Sequence, residues 1–493
     1  MKQNFFLIFI IISFLLLGGI GIKPLLGPYG DNARYLVLAQ SLLKKKGMRL
    51  INYPHQPPEP KVPIGYPLVL ATVMTLFGQN FVLLKCSSLF FMAAGFFTFY
   101  FVLRGYNFYG LSTILVLMTA IFNMHFLEHS RDLFVEPLFI LLFMLVCLFM
   151  AKYEQGNKKL YLKIAFILSL ITFFVRQIGV ILLLAEAIVL ARRKERLLSL
   201  FFVIVFLCLV AFWIFQNMQL ENTYLKEFLS QGSYLLPSPK KITFFSLIKR
   251  YSYETLVYLG DIVIDFLFPL AGYIKPRTNF WALKIFFSLS ACGLTLFGFL
   301  RLPLLHRKSF LAITSILYAL CLPLFPTYGI RYLLPIGLVI IFYFVWGIRN
   351  IKLPRAIILV IVILLVIGNL FSAISDLFKP QRIFSDSVKN FYAALEFLKK
   401  NVSPAVIVCR KPYLGYIISG HKTLGFSTST DVAYLYQEMI NQGATHVIVD
   451  NIDIAGINLT RKYVEPVVRT FKSNFRLIYR LEHPLTEVYE IIR

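Results

Sequence analysis

The sequence predicts a polytopic α-helical membrane protein with a small α/β domain at its C-terminal end. Three observations predict this class. Of 493 residues, 58% are hydrophobic and only 15% charged, with a mean hydropathy of +0.72; soluble domains are about half apolar and about a quarter charged. Apolar runs of about 17 to 25 residues, the length that crosses a bilayer, recur along most of the chain. After about Asp376 the pattern changes to short apolar alternations separated by amphipathic stretches.

Taken in order, the runs place spans near 4–22, 81–103, 109–127, 133–151, 160–176, 178–191, 197–216, 281–300, 309–325, 330–348 and 356–375. The first run follows a single Lys2 and lacks a small-residue cleavage site, so it reads as a retained helix rather than a removed signal peptide. With the N-terminus cytoplasmic, the basic linkers "RGYNFYG", "AKYEQGNKK", "ARRKER", "RLPLLHRK" and "RNIKLPR" all fall inside, as the positive-inside tendency requires. The segment 253–273 is long enough to span but carries Asp261 and Asp265, and it reads as re-entrant, surface-lying or one of a pair. The expected total is about 11 to 13 spans. A transmembrane module over 1–375 then exposes two large outer loops, 23–80 and 217–280, and a soluble extracytoplasmic α/β domain over 376–493.

In that domain "AVIVCR", "THVIVDN" and "FRLIYRL" read as strands. "SDSVKNFYAALEFLKKN", "DVAYLYQEMINQG" and "RKYVEPVVRTFKS" read as helices. The formal charge of +26 is spread over short clusters between apolar runs, the habit of cytoplasmic loops rather than of a nucleic-acid surface. Cys86, Cys147, Cys208, Cys292 and Cys321 lie in apolar runs and Cys409 in a strand, with no close pair, which argues against a disulfide framework or a zinc site. No repeat of fixed period appears.

Polar residues converge on the outer side. Asp31, Arg34 and Tyr35 share a face if 31–46 is helical, and Asp31 could cap that helix. "INYPHQPPEPKVPIGYP" sets Tyr53, His55, Glu59, Lys61 and Tyr66 in a frame stiffened by Pro54, Pro57, Pro58, Pro60, Pro63 and Pro67. "HFLEHSRDLFVEPLF" packs His125, Glu128, His129, Arg131, Asp132 and Glu136 together, with Asp132 and Glu136 four apart and expected on one face. "FFVRQIGV" adds Arg176 and Gln177, and "PTYGIRYLLP" adds Tyr328, Arg331 and Tyr332. Each piece alone reads equally well as capping, snorkelling or a rigid connector. Together they supply carboxylates from two loops and cations from three. Group transfer from a lipid-linked phosphate needs both: a carboxylate to take the acceptor's proton, and Arg or Lys where charge collects on the departing phosphate.

These residues also carry a family resemblance. "GDNARYLVLAQSLL" followed by "EPKVPIGYPLVLATVMTLFG" resembles the first outer loop of the GT-C glycosyltransferases of family 39, which include the protein O-mannosyltransferases and the aminoarabinose transferases acting on lipid A. "HSRDLFVEPLF", "RQIG" and "IRYLLP" resemble later landmarks over the membrane part. The sequence departs from the family at Asn32, where a second acid is usual, and at Pro60, which separates Glu59 from Lys61. The resemblance implies an inverting transferase in a bacterial cytoplasmic membrane that uses a polyprenyl-phosphate-linked sugar and serves a lipid, glycan or protein acceptor on the outer face. It implies Asp31 as general base, with Asp132 and Glu136 aligning acceptor and sugar. By the same matching Arg34, Lys61, Arg176 and Arg331 would hold donor phosphate, and Tyr35, His55, Glu59, Tyr66, His129 and Tyr332 would line the substrate. Members differ in metal use; His55, His129 and Glu59 could serve a divalent metal ion, but their spacing matches no standard signature.

The rival readings are a transporter or flippase, which predicts mid-membrane charges and related halves, and another lipid-linked glycan polymerase or ligase, which predicts a large late outer loop.

Overall fold

The structure is a computed structural model and describes residues 2–59, 61–219, 243–274, 280–324, 329–351, 354–378, 384–453 and 457–492. Pro60, Tyr328 and residues 220–242 and 275–279 of the outer loop expected at 217–280 lie outside the described residues. The chain packs as two units: Met1–Lys23, Pro60–Tyr66 and Val82–Phe378 in one, Pro24–Glu59, Pro67–Phe81 and Lys379–Arg493 in the other.

The first unit is helical. Among the described residues, six helices are long and apolar enough to cross a membrane: Phe81–Gly105, Glu136–Gly156, Arg196–Met218, Trp281–Leu300, Ile330–Asn350 and Ala356–Leu377. A seventh span results if the bent pair Leu111–Phe122 and Met124–Ser130 is counted as one. The chain is a multi-pass membrane protein. The runs expected at 160–176 and 178–191 are present as the helices Lys159–Val175 and Val180–Arg192, separated by the extended residue Arg176 and a 3-10 turn at Gln177–Gly179. Gly179 is needed in that turn, since a Cβ there would sit 2.8 Å from the Thr172 backbone.

Apolar side chains alone would not fix helix positions in lipid, so close approach and polar contacts set them. Gly298 and Gly347 bring two long helices together; a Cβ on Gly298 would lie 1.9 Å from the Tyr343 carbonyl oxygen. A chain of edge-to-face rings runs Phe14–Phe96–Phe126–Phe266, with centroids 4.9, 5.3 and 5.6 Å apart. Asn123 breaks the bent pair at 55° by leaving the helix and capping the next one, its side chain accepting from His125 N. Its Nδ2 donates to Phe266 O at 2.6 Å and to Asn369 Oδ1 at 2.9 Å.

The ambiguous segment 253–273 is not one straight span. It comprises the end of helix Phe244–Val257, a π-helical turn Tyr258–Ile262, helix Val263–Leu267 and a 3-10 turn Pro269–Tyr273. Its two acids are tolerated because both pair with the buried Lys284.

The second unit carries a five-stranded sheet of order β2-β1-β3-β5-β4, from Val406–Val408 (β1), Lys422–Leu424 (β2), His446–Val449 (β3), Phe475–Leu481 (β4) and Thr486–Ile491 (β5). β1 pairs in parallel with β2 and β3, and β5 is antiparallel to β3 and β4. Val408, Leu424, Val447, Val449, Val464, Val467, Phe475 and Ile491 form its core. The expected strands fall at β1, β3 and β4, whereas β2, β5 and the helix Pro412–Ser419 were not foreseen. The first outer loop also packs here: Thr423 N donates to Asn52 O at 2.8 Å and Lys422 Nζ to Ile51 O at 2.6 Å. The Tyr392 hydroxyl donates to Leu26 O. By packing, residues 24–59 and 67–81 thus group with the C-terminal residues rather than with the helices.

Candidate active site

In the α/β unit, helix Asp31–Leu43 carries three of the predicted residues. Asp31 opens it as the first helical residue; the N-cap is Gly30, at φ +92°, so Asp31 is not the cap. A carboxylate in the first turn is favoured by the helix dipole. Asn32 has a structural job: buried, it donates to Gly27 O at 2.8 Å and accepts from Ala33 N at 2.8 Å, fixing the turn that presents Asp31. Arg34 grips the buried Glu59 with two N–H groups, Nε at 2.7 Å, and lies over the Tyr413 ring at 5.6 Å. Tyr35 is buried, and His55 is exposed on the proline-rich loop. Lys411 faces Asp31 electrostatically; burial and Arg410 push its pKa down, while Asp31 opposes the shift. Burial likewise raises the Tyr53 hydroxyl beside Tyr413.

In the helical unit, Glu136 is 0% exposed and holds two cations on one oxygen. Arg176 Nη1 lies 3.2 Å from its Oε1, and Arg331 Nε donates to the same atom at 3.1 Å. Tyr332 stacks under both guanidinium groups, at 5.4 and 5.5 Å. Two guanidinium groups thus meet at one buried carboxylate, an arrangement suited to an anion's oxygens. Half-buried His129 is oriented by a bond of its Nδ1 to His125 O at 2.9 Å. Lys61 is held through its carbonyl, which accepts from Gln177 Nε2 at 3.0 Å. The buried Tyr66 hydroxyl meets Ser88 Oγ at 3.3 Å.

Asp132 and Glu136 do not share a helix face. The helix starts at Glu136, so Asp132 belongs to the preceding turn, where its Oδ1 accepts from Leu133 N at 2.7 Å and its Oδ2 lies 3.8 Å from Lys85 Nζ. Arg131 does not balance either acid; it reaches Asp376 at 3.1 Å. Lys85 was missed in the sequence, yet it is 2% exposed within an apolar helix and donates to Lys23 O at 3.2 Å. Its charge inside a span was the available signal. Among the described residues no group of three or more His, Cys, Asp or Glu is placed to hold a metal ion, and Glu59 is engaged by Arg34.

No family model matches the chain, and no curated protein does. Among solved structures, ArnT from Cupriavidus metallidurans bound to undecaprenyl phosphate matches with a TM-score of 0.61 at 9% identity, covering 98% of this chain and 97% of that one. The same protein in the apo state matches with a TM-score of 0.58 at 9% identity, over 99% and 98%. Likeness at this identity establishes the architecture: the chain has an ArnT-like fold over essentially its whole length.

Proposed function

We propose that this protein is an inverting membrane glycosyltransferase that moves a sugar from a polyprenyl-phosphate-linked donor to an acceptor on the outer face of the membrane, where its C-terminal domain lies. The observation that carries the reading is the pair of guanidinium groups, Arg176 and Arg331, set against the buried Glu136 among apolar helices, in a fold that in ArnT accommodates undecaprenyl phosphate. Two guanidinium groups side by side match the oxygens of a phosphate. A polyprenyl phosphate supplies such a group, and it arrives through lipid.

In the proposed reaction Asp31 accepts the proton of the acceptor hydroxyl or amine. The acceptor oxygen or nitrogen forms a bond to the anomeric carbon, and the bond from that carbon to the phosphate oxygen breaks. The electron pair stays on the polyprenyl phosphate, whose charge Arg176 and Arg331 offset, with Lys61 as a further cation; Arg34 is paired with Glu59. Glu136 acts as a positioning residue that holds both guanidinium groups in register, and Asp132 and Lys85 orient one another. Tyr35, Tyr66, His55, His129 and Tyr332 remain candidates for lining the substrates. The sugar and the chemical class of the acceptor are open.

The test is Asp31→Asn, purified in detergent and supplied with polyprenyl-phosphate sugars and a panel of acceptors. General-base catalysis contributes about 10²- to 10⁴-fold, so kcat should fall by that factor while donor affinity holds. Transfer at the unmodified rate would remove Asp31 from the mechanism.

A further inference from the structure

In the α/β unit the chain runs from β1 out to β2 and returns to β3 on the other side of β1, so the direction of connection reverses between β1 and β3. At such a reversal the carboxyl ends of parallel strands frame a crevice that takes ligands in open α/β sheets. This chain lines that position with polar groups: Arg410 and Lys411 follow β1, and Asp450 follows β3. Arg410 is anchored by Nη1, which donates to Ile452 O. Asp450, 0% exposed, uses Oδ1 to accept from Ile452 N at 2.9 Å and Thr460 Oγ1 at 3.1 Å.

Among the described residues, three buried atoms here have no hydrogen-bond partner: Nε and Nη2 of Arg410 and Oδ2 of Asp450. A buried polar atom left unpaired costs about 1–3 kcal/mol, so such a set calls for an explanation. Nε and Nη2 form one edge of the guanidinium, the fork that matches two oxygens of a phosphate or carboxylate. Arg34 uses that same edge on Glu59. Lys411 lies beside it, its charge disfavoured by burial and by Arg410 and favoured by Asp31 and Asp450, while Asp450 and Asp453 act on Arg410. An anion would satisfy the open fork, which none of these carboxylates bonds among the described residues.

We propose that the carboxyl edge of β1 and β3 is an anion subsite, in which the open edge of Arg410 and the Lys411 ammonium hold a phosphate or carboxylate borne by the acceptor. The word acceptor rests on the function proposed above; the anion site does not.

The test uses the full-length protein in detergent, with lysine acetylation by a water-soluble reagent read at Lys411 by mass spectrometry. The probes are glucose 1-phosphate, glucuronic acid, neutral glucose, undecaprenyl phosphate, and sodium chloride at matched ionic strength. At four times Kd, mass action leaves about one-fifth of sites free. Lys411 acetylation should therefore slow about fivefold with the sugar phosphate, the uronic acid or both, while the exposed Lys399 and Lys400 are unaffected. Which probe protects identifies the anion. Arg410→Gln should abolish protection. Asp450→Asn, which removes the competing carboxylate but keeps Arg410, should retain it, so a misfolded Arg410 variant would not end the test. No protection, equal protection by glucose or salt, or loss of protection in Asp450→Asn would overturn the subsite, and protection by undecaprenyl phosphate alone would overturn its assignment to the acceptor. Protection in a protein that transfers no sugar would sink the transferase reading and leave the anion site standing.

Discussion

Replacing Glu136 by glutamine removes the one negative charge that two guanidinium groups share. Each contact, at 3.2 and 3.1 Å, corresponds to about 5 kcal/mol of attraction at an effective dielectric of about 20, before desolvation and Arg–Arg repulsion are subtracted. Breaking a buried pair by removing one partner costs about 3–5 kcal/mol. The glutamine oxygen can still accept one N–H, which recovers about 1 kcal/mol. The net expectation for Glu136→Gln is therefore a loss of about 2–4 kcal/mol. Equilibrium unfolding by SDS in mixed micelles, followed by circular dichroism, measures it. A double-mutant cycle with Arg176→Gln isolates the share of that partner, since Arg331 is present in every corner. An ion pair should give a coupling above about 1.5 kcal/mol, within the range for contacting residues. Interhelical hydrogen bonds between neutral groups in membrane proteins average only about 0.6 kcal/mol. A coupling at that lower figure would mean that no charged cluster exists at Glu136, and the phosphate-holding role of the two arginines would go with it.

Three further outcomes are expected. Gly298→Ala sets a methyl group 1.9 Å from the Tyr343 carbonyl oxygen; the helices must part, at a cost of about 1–3 kcal/mol or more, and an unchanged SDS midpoint would refute the close crossing. Asn123→Ala removes a helix cap and two buried hydrogen bonds, each worth about 1 kcal/mol, so the same titration should register about 2–3 kcal/mol. Single cysteines placed in 191–196 and in the C-terminal unit should react with a membrane-impermeant maleimide from opposite sides of sealed vesicles, and labelling from the same side would reverse the orientation argument.

The fold class was legible because membrane insertion is written into local composition. A run such as "LLSLFFVIVFLCLVAFWIF" needs no partner to be read as a helix. The parallel strands β1 and β3 were legible for a similar reason, as short apolar segments bounded by turn residues. β2 is only Lys422–Leu424, too short to show a period, and β5 places Glu487 on a buried position and Glu490 three residues on, which breaks the apolar alternation a strand would show. Helix Pro412–Ser419 is rich in Tyr, Ile and Gly, residues whose local preference is not helical. Its helicity comes from packing beside β2, where a Cβ on residue 415 would lie only 3.0 Å from Cys409 Sγ and 3.1 Å from Thr423 Cγ2.

The candidate site was legible as an inventory but not as a set of partners, and the reason is physical. Spacing predicts which side chains share a helix face only if the helix is there, and at Asp132–Glu136 it begins at the second residue. Opposite charges find each other across tertiary distances: Arg34 reaches 25 residues to Glu59, and Arg331 reaches 195 residues to Glu136. Even "EPK" divides, because Glu59 packs with Arg34 in the α/β unit whereas Lys61 packs with Gln177 among the helices. The residue count of acids and bases therefore says less than which charges remain uncompensated after the internal pairs are formed. Glu59 cancels Arg34 and Asp132 approaches Lys85, while Glu136 serves two arginines and Arg410 keeps an open edge. Arg176 with Arg331 in one unit, and the open edge of Arg410 in the other, are therefore the places where an anionic donor and an anionic acceptor should be sought.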